Sequence, residues 1–501
     1  MSAMSVFDAE WVAEQLELQT PACAVQFTDI VADSRQIQPG SLFVCLQGER
    51  VDGHDFVDQA IAAGAKGILC VSGRIAVSVP AAVVLYEVAD TLAAYRVLSG
   101  KWRQQFSIPV ICVAGSVGKT TTKELLAAAL AAVAPAQVLK TEGSENGFIG
   151  IPKTLLRLRS HHRFAVIEVG IDDVGAMAEH LTIVAPTLSI VTAIGPEHLE
   201  KLIDMETVAR EELKALEYTL EHGGITVVNF DDPAISSAVP ALTKATTKQL
   251  WGYSAKLGAP GVVAQIAMMS APERTVRGYI VTTDDVSSTL ELRGGSAPSV
   301  HCKLPLPGEH NARNAVGALA ICWALLESLS NIDAIAKAAR ELEQFKAAPG
   351  RSEVSTMANG VTVFRDYYNA NPSSVRAALA ILVQHARGAN RSTVGRTFAC
   401  LGDMLELGPN ELEYHRALAP VLVEYGINFV CLYGPRMAAL AEKLSMSQLS
   451  TAVRHFSNRE ELASFVLDQL KSNDRVLIKG SRGMRMEQVW QQMEPRLSQI
   501  H

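Results

Sequence analysis

Continuous apolar runs of about five residues, each followed by a stretch of helical periodicity, recur along this chain. Such runs are too short for helices and lack polar alternation, as do strands buried on both faces of a parallel sheet. Near the N-terminus, 41–46 and 67–71 read as strands and 56–63 as a helix, with Pro39-Gly40 and Asp52-Gly53 marking turns. Further on, 108–113, 164–169, 188–194 and 225–229 read as buried strands, and the alanine-rich 127–136 as helix. The stretch 255–300 is richer in Thr, Ser and Val and predicts inserted antiparallel strands. From 348 the strand–helix alternation resumes, with strands at 361–366, 397–401, 429–433 and 476–478. The pattern predicts an α/β protein of three domains: a small N-terminal α/β domain (1–102), a central domain with a mostly parallel sheet (103–347) and a Rossmann-like C-terminal domain (348–501).

Composition agrees with that count. Of 501 residues, 48 % are hydrophobic and 19 % charged, enough for three separate cores. A net charge of −7 with no long basic run carries no general attraction for nucleic acid or anionic membrane, so neither is expected as a partner. The eight cysteines stand singly, with no metal-ligand spacing, and read as small buried apolar residues of a reducing compartment. The acidic, amphipathic start is unlike a secretory signal, and no apolar stretch reaches the roughly 18 residues that a membrane span needs. A cytoplasmic monomer is the expectation.

The chemistry concentrates in Gly115-Ser116-Val117-Gly118-Lys119-Thr120-Thr121, which follows an apolar strand and opens a helical pattern. Gly115 and Gly118 let backbone amides turn toward an anion. Lys119 can reach β/γ-phosphates, and the Thr120 hydroxyl can hold Mg²⁺ at the helix N-terminus. A nucleoside triphosphate is the expected ligand, although Val113 stands where the usual loop has its first glycine. Glu168 ends one buried run and His198 follows another. Strand C-terminal ends line the ligand crevice of an open parallel sheet, so this carboxylate and imidazole are candidates to hold or orient Mg²⁺.

The order of further motifs resembles that of the Mur ligases. They are Asp33-Ser-Arg35, Pro39-Gly-Ser-Leu-Phe43, Asp52-Gly-His-Asp-Phe56, the phosphate loop, Thr141-x-Gly143…Asn146 with Gly150-Ile-Pro152, Gly308-Glu-His-Asn-Ala-Arg-Asn314, Gly350-Arg351, Tyr368-Asn-Ala-Asn-Pro372, Leu401-Gly-Asp-Met-Leu-Glu-Leu-Gly408 and Lys479-Gly-Ser-Arg482. Within that family the chain is most similar to the branch that adds D-alanyl-D-alanine to UDP-N-acetylmuramoyl-tripeptide. The resemblance implies an ATP- and Mg²⁺-dependent amide ligase of peptidoglycan precursor synthesis working through an acyl phosphate, with a UDP-linked muramoyl peptide and a dipeptide amine as substrates. It further implies UDP contacts at Ser34 and Arg35, and ATP and metal contacts at Lys119, Thr120, Glu168 and His198. By the same resemblance Asn146 lies near the reacting phosphate and Asn311 and Asn314 near the adenine. Arg351 and Asp366 close over ATP, and Tyr368, Asn369 and Asn371 lie where the incoming dipeptide is expected.

Departures from the branch pattern are specific. The segment after Thr141-x-Gly143 reads Ser144-Glu-Asn146-Gly-Phe148 where Asn-x-Asn-Asn-Glu is usual, Arg365-Asp-Tyr-Tyr-Asn369 replaces Asp-Asp-Ser-Tyr-Asn, and Val-Gly-Ile-Asp-Asp follows Glu168 in place of Met-Gly-Ala-Asn-His. These changes put the amine and acceptor in question, leaving open a Mur-type ligase of another pathway and a non-catalytic nucleotide-binding paralogue. Family members carry a carbamylated lysine about 14 residues after the metal-site histidine. Counting from His198 reaches Glu212, which can supply an anionic oxygen directly; a modified Lys214 is the alternative if the register slips.

Overall fold

In the computed structural model the described residues are 7–21, 24–48, 51–242, 249–257, 274–283, 286–294, 299–384, 395–446 and 452–498. The chain forms two compact units. One comprises residues 1–112, 136–169 and 178–187; the other comprises 113–135, 170–177 and 188–501.

The first unit holds a four-stranded all-parallel sheet in the order Ile30–Val31, Leu42–Val44, Gly67–Val71, Val84–Val88. The strands expected at 41–46 and 67–71 are therefore present, and Val84–Val88 was not anticipated. Helices Val57–Ala62 and Thr91–Arg103 accompany it; Asp90 starts the latter by accepting from the amides of Leu92 and Ala93. A parallel pair, Val138–Lys140 with Phe164–Glu168, belongs to the same unit. Phe164–Glu168 is buried throughout, which is why it reads as an unbroken apolar run closed by a carboxylate.

In the second unit the strands Leu188–Val191, Ile225–Asn229, Leu250–Leu257 and Thr275–Thr283 pair in parallel. Ser288–Gly294 and Val300–Leu304 then continue antiparallel. The expected antiparallel insert is thus real only from Thr275 onward: the pairing of Leu250–Leu257 with Thr275–Thr283 is parallel, and 258–273 lie outside the described residues. The helix Lys119–Val133 follows the phosphate loop. The helix Glu309–Ser328 is almost wholly buried, from Asn311 to Leu326.

The C-terminal residues build a six-stranded sheet in the order Glu353–Thr356, Thr362–Arg365, Arg475–Lys479, Thr397–Gly402, Phe429–Tyr433, Ala452–Phe456. All pairs are parallel except the first. The four predicted strands are present. Ala452–Phe456 escaped prediction because its Arg454 and His455 break the apolar run. No helix among the described residues is long and apolar enough to cross a membrane. The seven described cysteines are buried and unbridged.

Candidate active site

The phosphate loop is pinned from behind. Gly115 sits at φ 118°, and a Cβ there would lie 2.4 Å from Thr192 Oγ1, so only glycine fits. Thr192 donates to the Val117 carbonyl at 2.7 Å, and the Ser116 amide donates to the Ala193 carbonyl at 2.7 Å. Gly118, at φ 90°, starts the helix Lys119–Val133, and a Cβ on it would sit 2.5 Å from Asn314 Oδ1. Asn314 is thereby packed against the loop. Thr120 is 4 % exposed.

Four ionisable side chains gather at this loop. Lys119 Nζ donates to Glu197 Oε2 at 3.0 Å and Oε1 at 3.2 Å. His198 faces Glu197 Oε1 with Nε2 at 3.6 Å and Glu406 Oε2 with Nδ1 at 2.7 Å. Burial lowers the His198 pKa, but the Glu406 bond and the charges of Glu197 and Glu406 outweigh it and leave the value raised. Glu212 Oε2 accepts from the Gly115 amide at 2.7 Å, while Oε1 is buried with no hydrogen-bond partner. Complete burial dominates its titration and pushes the carboxyl up to about 7, against the opposing pull of Lys119.

Helical periodicity explains why Glu212 points inward. On Met205–Glu221 the buried positions Val208, Glu211, Glu212, Ala215, Leu216 and Thr219 follow 3.6-residue spacing, so both carboxylates fall on the core-facing side. A carboxylate there needs a partner. Glu211 has two: Lys214 Nζ at 2.6 Å and the Gly175 amide at 3.1 Å. Lys214 is therefore engaged with Glu211, while Glu212 reaches the loop.

Glu168, 1 % exposed, receives the Asn146 amide on Oε1 at 2.8 Å, and its own backbone amide donates to Thr141 Oγ1 at 3.0 Å. Beside Asn146 the departure residue Phe148 is clamped: the Arg96 guanidinium lies 4.7 Å over its ring, and the buried His180 meets it edge-on at 4.5 Å. No group of three or more His, Cys, Asp or Glu side chains able to hold a metal is preformed among the described residues. The chemistry of the donors nonetheless fits Mg²⁺, which takes few protein carboxylates and completes its shell with phosphate and water. The unsatisfied Glu212 oxygen is one such donor.

The remaining expected residues divide. Arg351 lines a small cleft with Thr120, Thr121, Glu124, Leu306 and Phe345. Its guanidinium also stacks on Tyr368 at 3.9 Å. Asp366 accepts from Lys479 Nζ at 2.5 Å and the Ser352 amide at 3.0 Å; burial raises its pKa, but Lys479 prevails and holds it low. Ser34 and Arg35 line a cavity of about 980 Å³ in which basic side chains (Lys153, Arg157, Arg159) alternate with acidic ones (Asp29, Asp33, Glu145), and Lys153 is paired with Glu145 at 2.8 Å. Arg35 itself is turned onto Asp33 through two bonds of 2.9 and 2.8 Å.

Three asparagines have local duties. Asn311 donates to the Pro307 carbonyl at 2.8 Å and is 1 % exposed. Asn371 Oδ1 accepts from the Ser374 amide at 2.8 Å, capping the helix Pro372–Gln384. Asn369 Oδ1 accepts from the next amide, that of Ala370, at 2.9 Å. Glu197, Glu406 and Lys479 were not expected at the site. Glu197 adjoins His198 in sequence, and Glu406 and Lys479 stand in quoted motifs, so their placement was legible but their partners were not.

Three family descriptions match in order: Mur ligase family, catalytic domain (26–98), Mur ligase middle domain (113–322) and Mur ligase, glutamate ligase domain (350–482). Among similar proteins, the UDP-N-acetylmuramoyl-tripeptide--D-alanyl-D-alanine ligase of Haemophilus influenzae is 30 % identical over 475 residues, covering 93 % of both chains. That of Escherichia coli is 31 % identical over 462 residues, covering 92 % of both. Of solved structures, MurF from Acinetobacter baumannii superposes with a TM-score of 0.79 at 27 % identity over 98 % of this chain and 99 % of its own. The MurF ligase from Thermotoga maritima in complex with ADP shares the fold, with a TM-score of 0.73 at 24 % identity over 94 % and 97 % of the two chains.

Proposed function

The chain belongs to the Mur ligase family, and from that premise we propose that it is an ATP-dependent, ADP-forming ligase joining D-alanyl-D-alanine to UDP-N-acetylmuramoyl-tripeptide in peptidoglycan precursor synthesis. The observation that carries this reading is the gathering of Lys119, Glu197, His198 and Glu212 on a glycine-built anion loop. The three-domain division at 102/103 and 347/348, action as a monomer and a cytoplasmic setting belong to the same reading.

A carboxylate is a poor electrophile. The terminal carboxylate of the tripeptide therefore takes the γ-phosphoryl of ATP, and the dipeptide amine attacks the resulting acyl phosphate, expelling phosphate. Phosphoryl transfer is mainly positioning and charge neutralisation, which suits a lysine, backbone amides and acidic oxygens better than a serine or cysteine nucleophile. Mg²⁺ would be held by Thr120, Glu168, His198 and Glu212 and would supply positive charge at the phosphates. In this reading Lys119 and the amides of 115–121 bind the β/γ-phosphates, with Asn314 and Arg351 flanking the nucleotide. Asn146 orients Glu168 through its amide, and Asp366 holds Lys479 in place. Ser34 and Arg35 serve the UDP moiety, Tyr368 and Asn369 the dipeptide, and Asn311 and Asn371 act through the turns they tie.

A second reading, a Mur-type ligase with another amine, is favoured by one feature. Phe148, locked between Arg96 and His180, offers an apolar ring where the branch has a carboxylate. Mass spectrometry of the products from UDP-muramoyl-tripeptide, ATP and a panel of D,D- and L-dipeptides decides between them. Phosphate release should require acceptor and amine together; full-rate hydrolysis with neither present would rule out a ligase, and no turnover under any condition would leave a non-catalytic paralogue.

A further inference from the structure

His198 and Glu406 meet across two turns that are both conformationally strained. His198 stands at φ 51° at the start of the helix Leu199–Leu202, and Glu406 at φ 63° in the turn before Gly408–Asn410. The turns interlock: Gly408, at φ 68°, lies so close to the first that a Cβ there would be 3.1 Å from the Leu199 carbonyl oxygen. The pair cannot exist for stability alone. The Glu406 side chain is 56 % exposed, and ion pairs that open to solvent contribute little. Two non-glycine residues in left-handed conformation are a cost that such a pair does not offset.

What the pairing does fix is the orientation of the ring. With Nδ1 2.7 Å from the Glu406 carboxylate, the imidazole carries its hydrogen there and turns Nε2 toward the Lys119–Glu197 corner of the phosphate loop. A carboxylate behind a histidine is how proteins set the tautomer and raise the basicity of a metal-ligating nitrogen. We propose that Glu406 is a positioning residue, holding His198 in the Nδ1–H tautomer with Nε2 free for the cation that accompanies the nucleotide. The inference rests on the reading of His198 as a metal ligand given above. It makes a residue of the Leu401–Gly408 motif, contributed by the C-terminal sheet, part of the metal site at the central loop.

The test uses the full-length chain with ADP and Mn²⁺ as the probe. Mn²⁺ affinity of the ADP complex is read by electron paramagnetic resonance, and ADP affinity without metal is measured in parallel. Glu406→Ala should weaken Mn²⁺ binding about tenfold or more while leaving metal-free ADP affinity and the unfolding midpoint unchanged. Glu406→Gln, whose carbonyl can still accept from Nδ1, should fall between. Long-range ¹H–¹⁵N spectra, assigned by difference with His198→Ala, should show the Nδ1–H form in the wild type and its loss in Glu406→Ala. Wild-type Mn²⁺ affinity in Glu406→Ala, with weakened affinity in His198→Ala, overturns the inference alone. Wild-type affinity in both variants overturns the metal reading of His198 as well. A parallel loss of metal-free ADP binding in Glu406→Ala would mark general damage to the loop and also overturn it.

Discussion

Lys119 belongs to the phosphate loop and Glu212 is bound to its Gly115 amide, and each supports a separate prediction. Lys119→Ala removes the ammonium that, in the proposed function, would neutralise phosphate charge, from a loop whose shape is fixed by Gly115, Thr192 and Ala193. Product formation should drop at least ~10²-fold with an unchanged circular dichroism spectrum, the scale of a lost charge-stabilising group. Turnover within tenfold of wild type would remove the loop from the mechanism. Counting from His198 points to Glu212, and the buried stripe of its helix supplies the physical reason that the count lands inside the protein. Glu212→Gln keeps the size and the acceptor for the Gly115 amide but removes the anion. The rate and Mg²⁺ dependence should suffer strongly, Lys214→Ala should do little, and wild-type turnover should need no added bicarbonate. Steady-state rates across a Mg²⁺ series, with and without bicarbonate, check all three.

Elements were legible where burial is two-sided, because an unbroken apolar run admits few alternatives. Phe164–Glu168, Ile225–Asn229 and Thr397–Gly402 emerged within a residue or two of their observed bounds. Legibility failed at edges, where one face meets solvent: Ala452–Phe456 carries an exposed polar pair, and Glu353–Thr356 is only partly buried. Direction was harder than existence, as the parallel pairing of Leu250–Leu257 with Thr275–Thr283 shows. For the helix Pro372–Gln384 the Asn-Pro signal had two meanings, substrate contact or turn, and the side chain is engaged in the turn. Asn371→Asp retains a capping oxygen and should keep stability and the KM for the amine near wild type. Asn371→Ala should cost about 1 kcal/mol, read as a lower unfolding midpoint. A large rise in the amine KM for Asn371→Asp at unchanged stability would restore the substrate role.

At the scale of the molecule, motif order indicated family and reaction, whereas charge pairing between distant segments was invisible until the chain folded. Glu406 behind His198 and Lys479 on Asp366 are such pairs. So is Arg96, which joins Glu179, His180 and Phe148 within the first unit. His180 is fully buried, and burial first, then the Arg96 charge, holds its pKa down to about 4 from 6.5. The unfolded chain therefore binds a proton that the folded chain refuses between those values. Stability from this residue is complete above about pH 6.5 and is lost as pH falls toward 4, by up to roughly 1.4 kcal/mol per pH unit and about 3 kcal/mol in all. Replacing His180 with Gln should flatten the acid limb of unfolding, followed by tryptophan fluorescence at fixed urea. An unchanged limb would assign the acid loss elsewhere.

The bond between Lys119 and Glu197 makes the protein its own weak competitor. A tethered carboxylate sits at a high effective concentration, so any anion arriving at the loop must displace it before gaining the lysine. Stray single-charged anions would lose that contest. A triphosphate, bringing several charges and a cation that can draw Glu197 away, would win it. On this view the Lys119–Glu197 pair is a filter against the small anions of its surroundings. Glu197→Gln should raise affinity for inorganic phosphate more than for ATP with Mg²⁺, and equal gains in a titration of both would show that the carboxylate does not discriminate.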